Sequence, residues 1–219
     1  MITVIANLKG GSGKSTVAFN LAVWLEENAV PVIGYDLDPQ CTFSDLAMLR
    51  KEVGNTPVLT IHSVRAVLKD QLLTHAGKEV IVDVGAANLA AMKEAMTAAD
   101  RILIPVPPSQ PDVWATQRFL HIVGPDLDAV KMNGGQRTIA FINRADTNHS
   151  IRETAETEEA LRMLPAIDEV LLQRLSMRTS FRRSLSEGLA VFEMWPHGKA
   201  AEELRALAIA LYPDALGNS

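Results

Sequence analysis

Apolar residues along this chain fall into two kinds of segment, short near-continuous runs and longer stretches with helical spacing. The first run, Ile2-Thr3-Val4-Ile5, reads as a strand and breaks into a glycine-rich loop. Thr16 to Asn28 then carries Val17, Leu21, Trp24 and Leu25 at a spacing that predicts a helix with one face on a sheet. Pro31 restarts the chain, Val32 to Tyr35 reads as a strand, and Phe43 to Arg50 as a helix. Val58 to Ile61 predicts another strand, followed by an amphipathic helix through Val64, Val67, Leu68 and Leu72. Further strands are expected at Glu79 to Asp83, Arg101 to Val106 and Thr138 to Ile142, with helices at Asn88 to Ala98, Trp114 to Val123 and Ile151 to Met163. Strands that are apolar throughout are covered on both faces, so the alternation predicts an α/β fold: one doubly wound, mainly parallel sheet with helices on both sides. With no repeat, linker or second core pattern, residues 1–219 read as a single domain.

Composition narrows the function classes. Hydrophobic residues make up 47% of the chain, enough for a compact core. No apolar run approaches the roughly 18 residues of a membrane span, so a cytoplasmic protein without membrane partners is expected. The single cysteine, Cys41, leaves no internal disulfide or cysteine pair for zinc, and the histidines at 62, 75, 121, 149 and 197 lack metal-ligand spacing. A formal net charge of −5 argues against a general nucleic-acid surface and leaves room only for a local basic patch. Trp114 and Trp195 read as packing residues.

The chemistry starts in the loop after the first strand, Lys9-Gly10-Gly11-Ser12-Gly13-Lys14-Ser15-Thr16. Three glycines let successive backbone N–H groups turn toward one point, at the positive end of a helix dipole, which suits polyphosphate oxygens. Lys14 is placed to reach the β- and γ-phosphates and Ser15 to offer its hydroxyl to Mg²⁺. Leu8 stands where the usual phosphate-loop pattern has glycine, and Lys9 follows it.

A lysine directly before Gly-Gly-x-Gly-Lys-Ser resembles the deviant phosphate loop of the ParA/MinD ATPases. The resemblance implies a P-loop NTPase fold, ATP with Mg²⁺, and an ATP-dependent homodimer in which Lys9 reaches the nucleotide held by the other subunit. Such a cation would offset the negative charge of two nucleotides at the seam. With the first strand at Ile2, the chain is most similar to the small plasmid-partition type, which implies nonspecific DNA, a centromere-binding adaptor of the ParB type, association with the nucleoid, and slow hydrolysis until the adaptor acts.

Asp36 and Asp38, in Asp-Leu-Asp-Pro-Gln after the second strand, suit a metal–nucleotide site that needs one carboxylate near water and others near Mg²⁺; as a bare pattern they also suit a turn. In the resembled family this segment is switch I, and Asp38 positions the hydrolytic water. Asp83 after Val80-Ile81-Val82 fits the aspartate that meets Mg²⁺ through water, although Val84 departs from the small residue usual in switch II. Pro105 to Asp112 is similar to a proline-rich stretch at the family's dimer interface, and Asn143-Arg144 occupies the place where relatives recognise adenine. Lys9, Asp36, Asp83, Pro107 and Asn143 all follow strands, so they should meet at one sheet edge. Gln173 to Arg183 carries Arg174, Arg178, Arg182 and Arg183 without an acid, and the first three share one face if the segment is helical. That stripe resembles the DNA-binding region of ParA-type proteins; it also suits a solvated face paired with glutamates such as Glu169 and Glu187. A protein-cargo positioning ATPase would share all these residues, and a membrane-cycling MinD-like reading would need a more basic helix than Ala200 to Leu211.

Overall fold

The structure, a computed structural model, describes residues 1–65, 69–75, 77–131, 135–148 and 152–218. Strands β1 (Ile2–Ile5), β2 (Val32–Asp36), β4 (Glu79–Asp83), β5 (Arg101–Val106) and β6 (Arg137–Ala145) carry the apolar runs, with β3 (Thr60–Ser63) and the two-residue β7 (Glu169–Val170) as edges. They lie in the order β3-β2-β4-β1-β5-β6-β7, every neighbouring pair parallel, and β8 (Leu175–Ser176) pairs with the far end of β6.

Helices cover both faces. On one side, α1 (Lys14–Glu27) and α9 (Lys199–Leu211) bury Phe19, Leu21, Leu204 and Leu207 against Ile81, Leu103 and Phe141. On the other, α4 (Leu89–Ala98) and α5 (Gln110–Lys131) bury Met92, Met96, Phe119 and Val123 against Val4, Val82 and Ile104. Inward residues alternate within each central strand, Ile81 to one side and Val80 and Val82 to the other, and both sides are apolar because both are covered.

Register decides where function can sit. Ile5 of β1 aligns with Asp83 of β4, which aligns with Asp36 of β2, so the carboxyl ends of three central strands finish level. The loops after them open on one edge, as the sequence predicts. The remaining helices are α2 (Thr42–Glu52), α3 (Lys69–Leu73), α6 (Glu153–Arg162), α7 (Thr179–Leu185) and α8 (Val191–Met194), with a 3-10 turn over Pro213–Asn218.

Three sequence expectations shift. The strand expected at Val58 to Ile61 begins two residues later, because pairing with β2 starts at Ile33 and Thr60 and leaves Val58 exposed. Of the helix expected through Val64 and Leu72 the described residues show α3, and Val64 stands before it at the surface; Val67 and Leu68 lie outside the described residues, as do His149 and Ile151. Gln173 to Arg183 is not one helix. Leu175 and Ser176 pair with β6, and the helix α7 starts only at Thr179. Among the described residues no helix is long and apolar enough to cross a membrane.

Candidate nucleotide site

The loop between β1 and α1 is built by glycine geometry and by ties to two neighbouring strands. Gly11 and Gly13 have φ of +76° and +88°, values that side chains with a Cβ rarely adopt. Gly13 is the N-cap of α1 and no side chain caps the helix, which leaves its first-turn N–H groups for a ligand. Asn7 fixes the loop's entry: its Nδ2 donates to the Pro105 carbonyl at 3.0 Å and its Oδ1 accepts from the Lys9 N–H at 2.9 Å. Asn143 and Arg144, at the end of β6, fix the far side, donating to the carbonyls of Ser12 and Gly11, each at 2.6 Å. A Cβ on Gly13 would fall on the Asn143 amide, so that position has to be glycine twice over.

Lys14 is buried beneath this loop. Burial lowers its pKa, while Asp83 and Asp38 oppose the shift. Asp83 is fully buried and pushed up to about 7, chiefly by burial; the Ser15 hydroxyl and Lys14 oppose that rise, and Asp36 and Asp38 add to it. Among the described residues no donor meets either oxygen of Asp83 at hydrogen-bonding geometry, although Ser15 lies near enough to favour the charged form. A buried carboxylate short of partners, facing a serine hydroxyl and level with a second carboxylate, fits a hydrated divalent cation by its hard oxygen chemistry.

Asp36 turns its carboxylate onto the chain that follows, accepting from the N–H of Asp38 at 3.1 Å and of Ser44 at 2.8 Å. It thereby ties the end of β2 to the first turn of α2. Asp38 accepts from the Gln40 N–H at 3.0 Å and packs on Gly85, where an added Cβ would stand 2.7 Å from the Asp38 Cγ. The segments that follow β2 and β4 therefore touch at this point. Val84 is buried in the core, and Leu8 packs against the same core. The cleft bounded by Gly10, Lys14, Ser15, Asp38 and Ala87 has a volume of about 420 Å³.

Beside it opens a second pocket of about 340 Å³, walled by Asn143, Arg144, Leu175, Arg178, Phe181, Arg182 and the two positive-φ loop glycines. A larger and more open groove of about 870 Å³ lies beyond the Met177–Thr179 wall, next to Trp195 and Pro196, away from the phosphate loop and the aspartates. Lys9 does not point into the cleft. Its Nζ sits 2.7 Å from Asp112, which also takes the Ser109 hydroxyl, so the proline-rich stretch and the lysine meet within one chain.

The arginine segment differs most from expectation. No stripe of Arg174, Arg178 and Arg182 exists, because the chain is extended up to Arg178. Arg174 pairs with Glu158 on α6, Arg178 pairs with Glu203 on α9 at 2.7 Å, and Glu169 pairs instead with Arg137 at 2.6 Å. Arg182 and Arg183 are exposed on α7. Trp114, expected to pack, is 54% exposed at the start of α5. Glu203, Ser176 and Asn7 carry no signal in the sequence that would have marked them as part of this region.

Residues 3–191 match the family described as the CobQ/CobB/MinD/ParA nucleotide binding domain. The chain is 27% identical over 95% of its length, and 95% of the relative's, to maintenance of carboxysome distribution protein A of Halothiobacillus neapolitanus. It is 29% identical over 59% of both chains to protein ParA of Rhizobium radiobacter. The solved structure of apo McdA from Cyanothece superposes with a TM-score of 0.78 at 20% identity, covering 96% of this chain and 98% of that one.

Proposed function

We infer that this chain, which belongs to the CobQ/CobB/MinD/ParA nucleotide-binding family, is a Mg²⁺-dependent ATPase of the ParA type that dimerises on ATP and is reset by hydrolysis. The observation that carries the reading is the meeting of an uncapped helix N-terminus, a buried lysine and the partner-poor carboxylate of Asp83 in one cleft. Backbone N–H groups of Gly10 to Ser15 and the Lys14 ammonium hold the phosphates. Ser15 and Asp83 would hold the cation, with Asp36 fixing the chain after β2 beside them. A cation held there would supply charge neutralisation for the phosphates. Asp38 orients the attacking water, and Asn143 with Arg144 borders the base. Lys9 leaves Asp112 to reach the second subunit's nucleotide. Arg182 and Arg183 supply the free cations for nonspecific DNA, and an adaptor of the ParB type raises the hydrolysis rate.

Cargo has two readings. Partition of plasmid or chromosomal DNA follows from the likeness to ParA proteins. A protein body as cargo is favoured by two relatives matched over most of both chains, which are carboxysome distribution proteins.

The test is molar mass by light scattering with ATP and Mg²⁺. The native chain should double in mass and Lys14→Ala should not, having lost ATP binding. Lys9→Ala should bind ATP yet stay monomeric. A Lys9→Ala protein that doubles as the native does would remove the cross-subunit role.

A further inference from the structure

Glu203 lies far along the chain from the phosphate loop, yet its contacts reach the wall of the pocket beside it. Its carboxylate accepts from the Ser176 N–H at 2.9 Å, from the Ser176 hydroxyl at 2.8 Å, and from Nε and the terminal nitrogen of Arg178, the shortest at 2.7 Å. Ser176 and Arg178 both line the 340 Å³ pocket next to the phosphate cleft, together with Asn143 and Phe181. A single carboxylate thus holds two lining residues, one by its backbone and hydroxyl and the other by its guanidinium.

We propose that Glu203 is a positioning residue for nucleobase recognition, and that Arg178, the side chain it holds, recognises the base instead of contacting DNA. The proposal rests on the reading of the neighbouring cleft as a triphosphate site. A planar guanidinium suits a flat heterocycle, because it can stack on a base or donate to its edge while remaining charged. Left unheld, a long arginine side chain would lose rotamer entropy on binding; pinned by Glu203 it has lost that freedom in advance. Arg174 offers a contrast, since its carboxylate partner, Glu158, is on α6 and Arg174 does not line the base pocket. The pinning also explains why Arg178 is only partly exposed where Arg182 and Arg183 of the same segment are exposed.

Binding of ATP and of inorganic tripolyphosphate, both with Mg²⁺, separates the roles by titration calorimetry. The native chain should bind ATP more tightly than tripolyphosphate. Glu203→Ala and Arg178→Ala should each weaken ATP by about tenfold, the scale of a lost charged hydrogen bond, and leave tripolyphosphate unchanged. Glu203→Gln, which keeps the shape and one acceptor, should fall between. The double variant should be no weaker than Arg178→Ala alone, because both substitutions remove one arrangement. Undiminished ATP affinity in both single variants would overturn the proposal, as would Glu203→Gln weakening both ligands equally. Equal native affinity for ATP and tripolyphosphate would sink it while leaving the phosphate site intact. A native chain that bound neither would instead remove the phosphate-site reading itself.

Discussion

Gly13 is held by two demands at once, a φ of +88° and the Asn143 amide standing where a Cβ would go. Gly13→Ala should cost about 1–3 kcal/mol in backbone strain, read by urea denaturation, and should weaken ATP further by pushing Asn143 off the Ser12 carbonyl. Asp38 and Gly85 form a second such pair. Asp38→Ala should leave ATP affinity near native and abolish phosphate release, and Gly85→Ala should lower turnover in the same direction by displacing that carboxylate. Retained hydrolysis in Asp38→Ala would move water positioning to another group. At this scale much was legible in the sequence, because the loop Lys9 to Thr16, Asp36 to Gln40 and Asp83 owe their placement to strands that immediately precede them. Asn7 and Glu203 were not legible, since their meaning lies in partners that distant parts of the chain bring near, Pro105 for one and Arg178 for the other.

Among elements, the central strands were readable because burial on both faces demands unbroken apolar runs, and the helices because one face must meet the sheet. The failure at Gln173 to Arg183 has a physical cause. Spacing at i, i+4 and i+8 marks a helix face only if the backbone is helical, and here Leu175 and Ser176 find partners along β6 that a local pattern does not reveal. The acids that neutralise Arg174 and Arg178 come from α6 and α9. Arg50 is another long-range joint that spacing could not announce. Its side chain is fully buried at the end of α2, donating to the carbonyls of Thr56, Pro57 and Gly188 and bidentately to Glu193 on α8 at 2.7 Å. Gly188, with φ of +64°, lets the backbone pass so close that an added Cβ would stand 2.8 Å from the Arg50 Cα. Arg50→Ala should therefore cost about 3–5 kcal/mol, as removing one partner from a buried pair does. Chemical denaturation measures it; a loss below about 1 kcal/mol, the range of an exposed pair, would show that the joint does not hold α2 to the C-terminal helices.

For the whole molecule, charge sets the terms on which DNA can be held. The chain carries a formal net charge of −5, so a duplex is repelled over most of the surface and attracted only where free cations cluster. Arg174 and Arg178 are spent on glutamates, which leaves Arg182 and Arg183 exposed on α7 as the patch for phosphate contacts. Two arginines on one monomer neutralise few phosphates and should bind weakly, whereas two patches fixed on an ATP dimer act together at high effective concentration. Duplex affinity should therefore be marked with ATP, slight with ADP, steeply reduced by salt and indifferent to sequence. Reversing Arg182 and Arg183 to Glu should abolish that affinity, and Arg183→Glu alone, outside the pocket that Arg182 lines, should weaken it and leave ATP-dependent doubling of mass untouched. Anisotropy of a labelled duplex, with ATP, with ADP and with the double reversal, reads all of these at once. Equal affinity with either nucleotide, or an unaffected double reversal, would return Arg182 and Arg183 to a solvated helix face and leave the protein without DNA as its track.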